Sequence, residues 1–142
     1  MFNGREMKIL KLNPEAKIPT KANPGDLGYD LYANESLSVH PGVNAIHTGI
    51  AIAFDEGWGG IIKDRSSMAL NGTSVVGGVI DNGYRGEIIV LLRGYSEGSL
   101  YIGKGQKIAQ LVPVQVANFE IEEVEHLSET IRGGKGFGSS GS

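Results

Sequence analysis

The chain has no cysteine, which excludes a disulfide framework and any thiolate-bound zinc site. It has no surplus of basic residues. Against 13 Lys and Arg stand 16 Asp and Glu, a net charge of −3, so no cationic stripe follows a nucleic-acid backbone and direct nucleic-acid binding is not expected. Nowhere do ~18 apolar residues run together, and charges interrupt those of Met1 to Leu12. Neither a membrane span nor a signal peptide is expected, and the chain reads as a soluble cytoplasmic protein. The three histidines, His40, His47 and His126, lack metal-motif spacing. Apolar residues also lack helical periodicity, falling instead in short runs.

Glycine is abundant, 22 of 142 residues, about twice its usual ~7%. Short runs of β-formers separated by tight turns describe an all-β sandwich or barrel, and the length fits one domain. Strands are expected at Met7 to Leu12, Asp26 to Ala33, Ser36 to Val39, Val43 to His47, Gly49 to Phe54 and Ile61 to Lys63. Further strands are expected at Val75 to Ile80, Ile88 to Leu92 and Ile108 to Val116. Phe119 to Val124 alternates charged and apolar residues as an edge strand does. Ile88 to Leu92, five apolar residues without alternation, predicts burial on both faces, at a sandwich centre or a subunit interface. Asn82-Gly83 between two β-runs predicts a hairpin with φ > 0 at both turn positions.

Several residues carry chemistry on local grounds. Asp81 and Tyr84 flank the hairpin tip, which is either an ordinary exposed turn or a grip for a small flat polar ligand. Asp30 points away from Tyr29 and Leu31 and reads locally as a solvated strand carboxylate. Ser66 to Leu70 predicts one helical turn stopped by Asn71-Gly72. Arg65 and the Ser66 and Ser67 hydroxyls then lie at its start, either as a phosphate contact or as a cap beside a surface ion pair. By parity Gln110 shares a face with Ile108, Val112, Val114 and Val116, so its amide is either a structural bridge or a ligand contact. Arg132 to Ser142 holds five glycines and reads as a flexible segment, yet its cations, hydroxyls and single aromatic are those of a phosphate-cradling loop.

Taken in order, five segments resemble the motifs of the trimeric deoxyuridine triphosphatases, the dUTPase family. They are Gly28-Tyr29-Asp30-Leu31, Arg65-Ser66-Ser67-Met68-Ala69, Gly78 to Gly86, Gly105 to Leu111, and Arg132 to Gly141. Together they span nearly the whole chain. The resemblance implies a jelly-roll-like distorted β-barrel over residues 1–131 and a flexible arm over 132–142 that closes over the active site. It also implies a homotrimer whose three sites are shared between subunits.

The implied reaction is hydrolysis of dUTP to dUMP and pyrophosphate by water attack at the α-phosphorus. Asp81 would handle the water, and Mg²⁺ would bridge the phosphates, held by Asp30 through water. Arg65, Ser66 and Ser67 would bind phosphates with Gln110, joined by Arg132, Gly138 and Ser139 from the arm. Asn82 and Gly83 would read uracil, Tyr84 would exclude a ribose 2′-OH, and Phe137 would stack on the base. Asp64 stands where the family commonly has proline, Ser67 where it has glycine, Gln106 where it has aspartate and Lys135 where it has glycine. The related dCTP deaminases, alone or as bifunctional enzymes, and a dUTP-sensing regulatory protein are the alternatives.

Overall fold

The computed structural model describes residues 5–95 and 100–136. Ten strands and one short helix follow one another: β1 (Met7–Lys11), β2 (Tyr29–Tyr32), β3 (Leu37–Val39), β4 (Gly42–Phe54), β5 (Trp58–Lys63), α1 (Ser66–Leu70), β6 (Thr73–Val75), β7 (Val79–Ile80), β8 (Glu87–Gly94), β9 (Leu100–Ile102) and β10 (Lys107–Gln115). They form two four-stranded sheets, ordered β1-β4-β8-β6 and β2-β10-β5-β7, with β3 and β9 as a separate ribbon. Every named pairing is antiparallel. The fold is all-β, a jelly-roll-like barrel. No helix among the described residues is long and apolar enough to cross a membrane.

Parity builds the core. On β4, Ile46, Ile50, Ile52 and Phe54 turn inward with Thr48, whose buried hydroxyl donates to the Ile88 carbonyl at 2.5 Å. Ile88, Val90 and Leu92 of β8 meet them, and Leu31, Ile62, Ile108, Ala109 and Leu111 close the core from the second sheet. Burying each of the larger aliphatic side chains contributes about 1.5–3 kcal/mol, so this stripe is what holds the two sheets face to face.

Five expectations are corrected. The segments Val43 to His47 and Gly49 to Phe54 form one strand, β4, bent where Gly49 takes φ +71° and the register with β8 shifts between His47 and Ala51. Within one chain Ile88 to Leu92 is buried on one face only, so a sandwich centre does not account for the run. Ile88, Val90 and Leu92 are buried while Ile89 and Leu91 are half-covered, because one chain supplies only one facing sheet. Gln110 does not share the core face, since a register shift between Lys107 and Ala109 resets the parity and puts Ala109 and Leu111 inside.

The Asn82-Gly83 hairpin is not a simple two-strand ribbon. β6 pairs with β8, but β7 crosses to pair with β5 in the other sheet. Positive φ falls at Gly77 and Gly78, not at Asn82 or Gly83, so the crossing is made there. The tip is instead a turn closed by the Tyr84 N–H donating to the Asp81 carbonyl at 3.1 Å. Finally, Phe119 to Val124 forms no strand. Phe119 and Ile121 are 84% and 98% exposed, because no sheet edge of the same chain receives them.

Candidate active site

The structure gathers the predicted residues of the barrel, though not those of the arm, into two separate clusters. The first lies where β10 runs between β2 and β5. Gln110 is directly opposite Asp30 on one side and Lys63 on the other, so the β5–α1 loop emerges beside the Asp30 carboxylate. Arg65 Nε donates to Asp30 Oδ1 at 3.1 Å, and Lys107 Nζ lies 3.4 Å from Oδ2. Asp30 is therefore not a free solvated carboxylate but an ion-paired one, with its side chain 18% exposed. Asp26 lines the same pocket, so its two cations, Arg65 and Lys107, are balanced by two carboxylates, and any anionic ligand is met by the placed N–H donors and not by an excess of positive charge.

Arg65 also donates from Nη1 to Ser67 Oγ at 3.3 Å, and it stands as the N-cap residue of α1 without a side-chain capping bond. The Ser66 and Ser67 side chains line a pocket of about 440 Å³ with Asp30, Arg65, Lys107 and Gln110. The Gln110 amide is a bridge: its Nε2 donates to the Asp64 carbonyl at 2.7 Å. Its side chain lies so close to Gly28 that any Cβ there would collide with Oε1. Lys107 was missed in the sequence reading. The signal for it was the single cation of Gly105-Gln106-Lys107, at the head of the strand that carries Gln110. Gln106 keeps a structural acceptor in place of the family's aspartate, its Oε1 taking the Gly103 N–H at 3.0 Å.

The second cluster is the loop that returns to β8. Asp81, Tyr84, Glu87, Val79, Ile80 and Ile89 line a pocket of about 150 Å³ that has no residue in common with the first. That volume is below the ~300 Å³ at which small-molecule sites begin, so the pocket holds only part of a nucleotide. The loop is braced from several sides. Asn82 Nδ2 donates to the carbonyls of Trp58 (2.8 Å) and Asp55 (3.0 Å). Arg85 Nη1 donates to those of Asn82 (2.6 Å) and Tyr84 (3.2 Å). The Asn82 side-chain nitrogen and the Asn82 carbonyl are thus both engaged within the protein. The Tyr84 hydroxyl donates to the Glu87 carbonyl at 2.7 Å, laying the ring across Gly86, where a Cβ would meet that hydroxyl at 2.5 Å.

Glu87 and His47 are a further pair outside the sequence reading. His47 Nδ1 lies 2.8 Å from Glu87 Oε1, while Glu87 Oε2 accepts the Gly49 N–H at 2.9 Å. The hydrogen bond to Glu87 holds the His47 pKa above its ordinary 6.5, opposed by slight burial and assisted by the charges of Glu87 and Glu35. His47, 40 residues away in sequence, carries no local signal of this contact.

Arg132 is not brought to either cluster. Its Nε donates to the Lys135 carbonyl at 2.8 Å in an exposed local turn. Phe137, Gly138 and Ser139 lie outside the described residues. Mg²⁺ is the ion that the sequence implies for this site. Among the described residues no group of three or more His, Cys, Asp or Glu side chains is placed to hold an ion. A lone, ion-paired Asp30 fits only contact through water with an ion that arrives on a ligand and keeps its hydration shell.

A family model described as dUTPase matches residues 14–141. The deoxyuridine 5'-triphosphate nucleotidohydrolase of Clostridium tetani is 44% identical over 139 residues, covering 95% of this chain and 96% of that protein. The enzyme of the same name from Cowpox virus is 38% identical over 145 residues, covering 99% of each. Among solved structures, Staphylococcus bacteriophage 80alpha dUTPase with dUPNHPP superposes with a TM-score of 0.88 at 29% identity, covering 96% of this chain and 99% of that one.

Proposed function

The chain belongs to the dUTPase family, and from that premise we propose that it hydrolyses dUTP to dUMP and pyrophosphate at sites shared between copies of itself. The observation that carries this reading is the split of the site. The cluster around Arg65 and the Asp81 pocket occupy different places on one chain, and the second is too small for a nucleotide. In a homotrimer one subunit supplies the Asp81 loop, a second supplies Asp30, Arg65, Ser66, Ser67 and Gln110, and a third supplies the arm. The half-covered Ile89 and Leu91 on the outer face of β8 suit burial between subunits. Residues 1–131 form the barrel part and 132–142 the arm, in a cytoplasmic protein.

The water's oxygen attacks the α-phosphorus, the bond from that phosphorus to the α–β bridging oxygen breaks, and pyrophosphate leaves. Asp81 orients the water and takes its proton, a role open to an exposed carboxylate beside the pocket mouth. Arg65, Lys107 and the Ser66 and Ser67 hydroxyls meet the charge on the phosphates, because fixed donors stabilise developing negative charge without reorganising. Gln110, held by the Asp64 carbonyl, presents its amide beside them. Asp30 would hold Mg²⁺ through water, and the ion would supply further charge neutralisation at the triphosphate.

The uracil edge meets the Asn82-Gly83 backbone, and the Tyr84 ring forms a wall against the deoxyribose that leaves no room for a 2′-OH. From the arm, Phe137 stacks on the base, while Arg132, Gly138 and Ser139 close on the phosphates. The deciding experiment measures pyrophosphate and ammonia release separately from dUTP, UTP, dTTP and dCTP. Pyrophosphate from dUTP alone is expected. Ammonia from dCTP would identify a deaminase, and binding without turnover a sensor; either result defeats the proposal.

A further inference from the structure

We propose that Asp64 is a positioning residue that fixes the spacing between the arginine loop and the Asp81 loop. It links both sheets at the point where each loop leaves them. Its Oδ1 accepts the Val75 N–H at 2.6 Å, and its carbonyl accepts the Gln110 Nε2–H at 2.7 Å. The next residue, Arg65, is held by Asp30. Val75 ends β6, an edge strand bonded only to β8. The Val76 N–H points toward β8, donating to the Leu91 carbonyl at 2.9 Å, so by strand alternation the Val75 N–H points to the open side. Asp64 is what meets it there.

Three residues on, the Gly78 carbonyl accepts the Ile62 N–H at 2.7 Å, and the chain enters β7 and then Asp81. Asp64 thus grips the root of the Asp81 loop with its side chain, and Gln110 and Arg65 with its backbone. A carboxylate accepting a backbone N–H is a charge-assisted bond, stronger than a neutral one. In a closed symmetric assembly the loop-to-loop spacing within one chain is repeated in every chain. Together with the packing of the subunits, it therefore helps to fix the spacing across each shared site.

The kinetic part of the test rests on the dUTP reading, and the structural part does not. Asp64→Ala and Asp64→Asn are made in the full-length chain and compared with wild type at a temperature where all three are folded by circular dichroism. Amide exchange at Val75 should accelerate in Asp64→Ala. Its kcat should fall about 10-fold, with KM for dUTP changing less, because small misplacements across a site are costly. Asp64→Asn keeps an oxygen acceptor and should bring both exchange and kcat back near wild type. Undiminished kcat in a folded Asp64→Ala variant overturns the positioning role whatever its melting temperature. Asn no better than Ala overturns the acceptor role. If wild type releases no pyrophosphate from dUTP, the functional reading fails, and Val75 exchange alone decides whether Asp64 holds the loop.

Discussion

Asp30 on the edge strand β2 and Arg65 just beyond the end of β5 meet across β10, Nε to Oδ1 at 3.1 Å, with Lys107 on the carboxylate's other oxygen. Replacing Asp30 by Asn leaves two cations facing each other in a largely covered place. We expect a loss of about 1–3 kcal/mol, read as a lower melting temperature. The same variant should need more Mg²⁺ for half-maximal turnover. An unchanged Mg²⁺ dependence would remove Asp30 from any contact with the ion's waters.

Asp81→Asn should leave binding of a non-hydrolysable dUTP analogue nearly intact while slowing turnover about 10³-fold. Binding by calorimetry and single-turnover pyrophosphate release separate the two effects. A variant within a few-fold of wild type would refute the assignment of Asp81 to the water.

Tyr84 makes two distinguishable contributions. Its hydroxyl braces the loop through the Glu87 carbonyl, and its ring forms the wall of the pocket. Tyr84→Phe should cost about 1 kcal/mol of stability and keep the preference for dUTP over UTP, whereas Tyr84→Ala should narrow that preference about 10-fold. Equal ratios in all three proteins would mean that the sugar is read elsewhere.

Deleting Arg132 to Ser142 should leave the assembly mass unchanged in light scattering, since residues 132–136 are exposed and belong to no strand. Turnover should drop steeply, by about 100-fold, because closure over the nucleotide is lost. Full activity in the truncated protein would show that the arm has no part in the chemistry.

His47 gives a pH signature. Its folded pKa lies above 6.5, so the stabilisation from its bond to Glu87 is fully present below pH 6.5 and disappears as pH rises through the raised value. The side chain is 47% exposed, so the effect is small. Melting curves of wild type and His47→Gln should differ most on the acid side and converge at alkaline pH. Parallel profiles would contradict the pairing.

Part of the barrel is legible because strand alternation writes burial directly into sequence, as β2 does with Leu31 buried and Asp30 on the opposite face. Local signals also found Ser66–Leu70 with its Asn71 stop. What escaped depends on partners distant along the chain. The crossing at Gly77 and Gly78 looked like one half of a hairpin because both sheets draw on β-formers. The Lys107 contact needed the register shift that no pattern announces. Asp30 read as solvated because its cations lie 35 and 77 residues away. Phe119 to Val124 has the alternation of a strand but no edge to join within one chain, and sequence pattern reports the tendency without the partner.

Glu87 is where several of these threads meet. One oxygen binds His47, the other the backbone at the Gly49 bend, and its carbonyl receives the Tyr84 hydroxyl. To a designer redistributing charge to raise solubility, a glutamate at the start of a strand looks expendable. Exchanging it for lysine here would place an ammonium against a histidine and leave an amide without an acceptor, close to the Tyr84 ring. Surface redesign of this protein therefore has to treat that carboxylate as part of the frame.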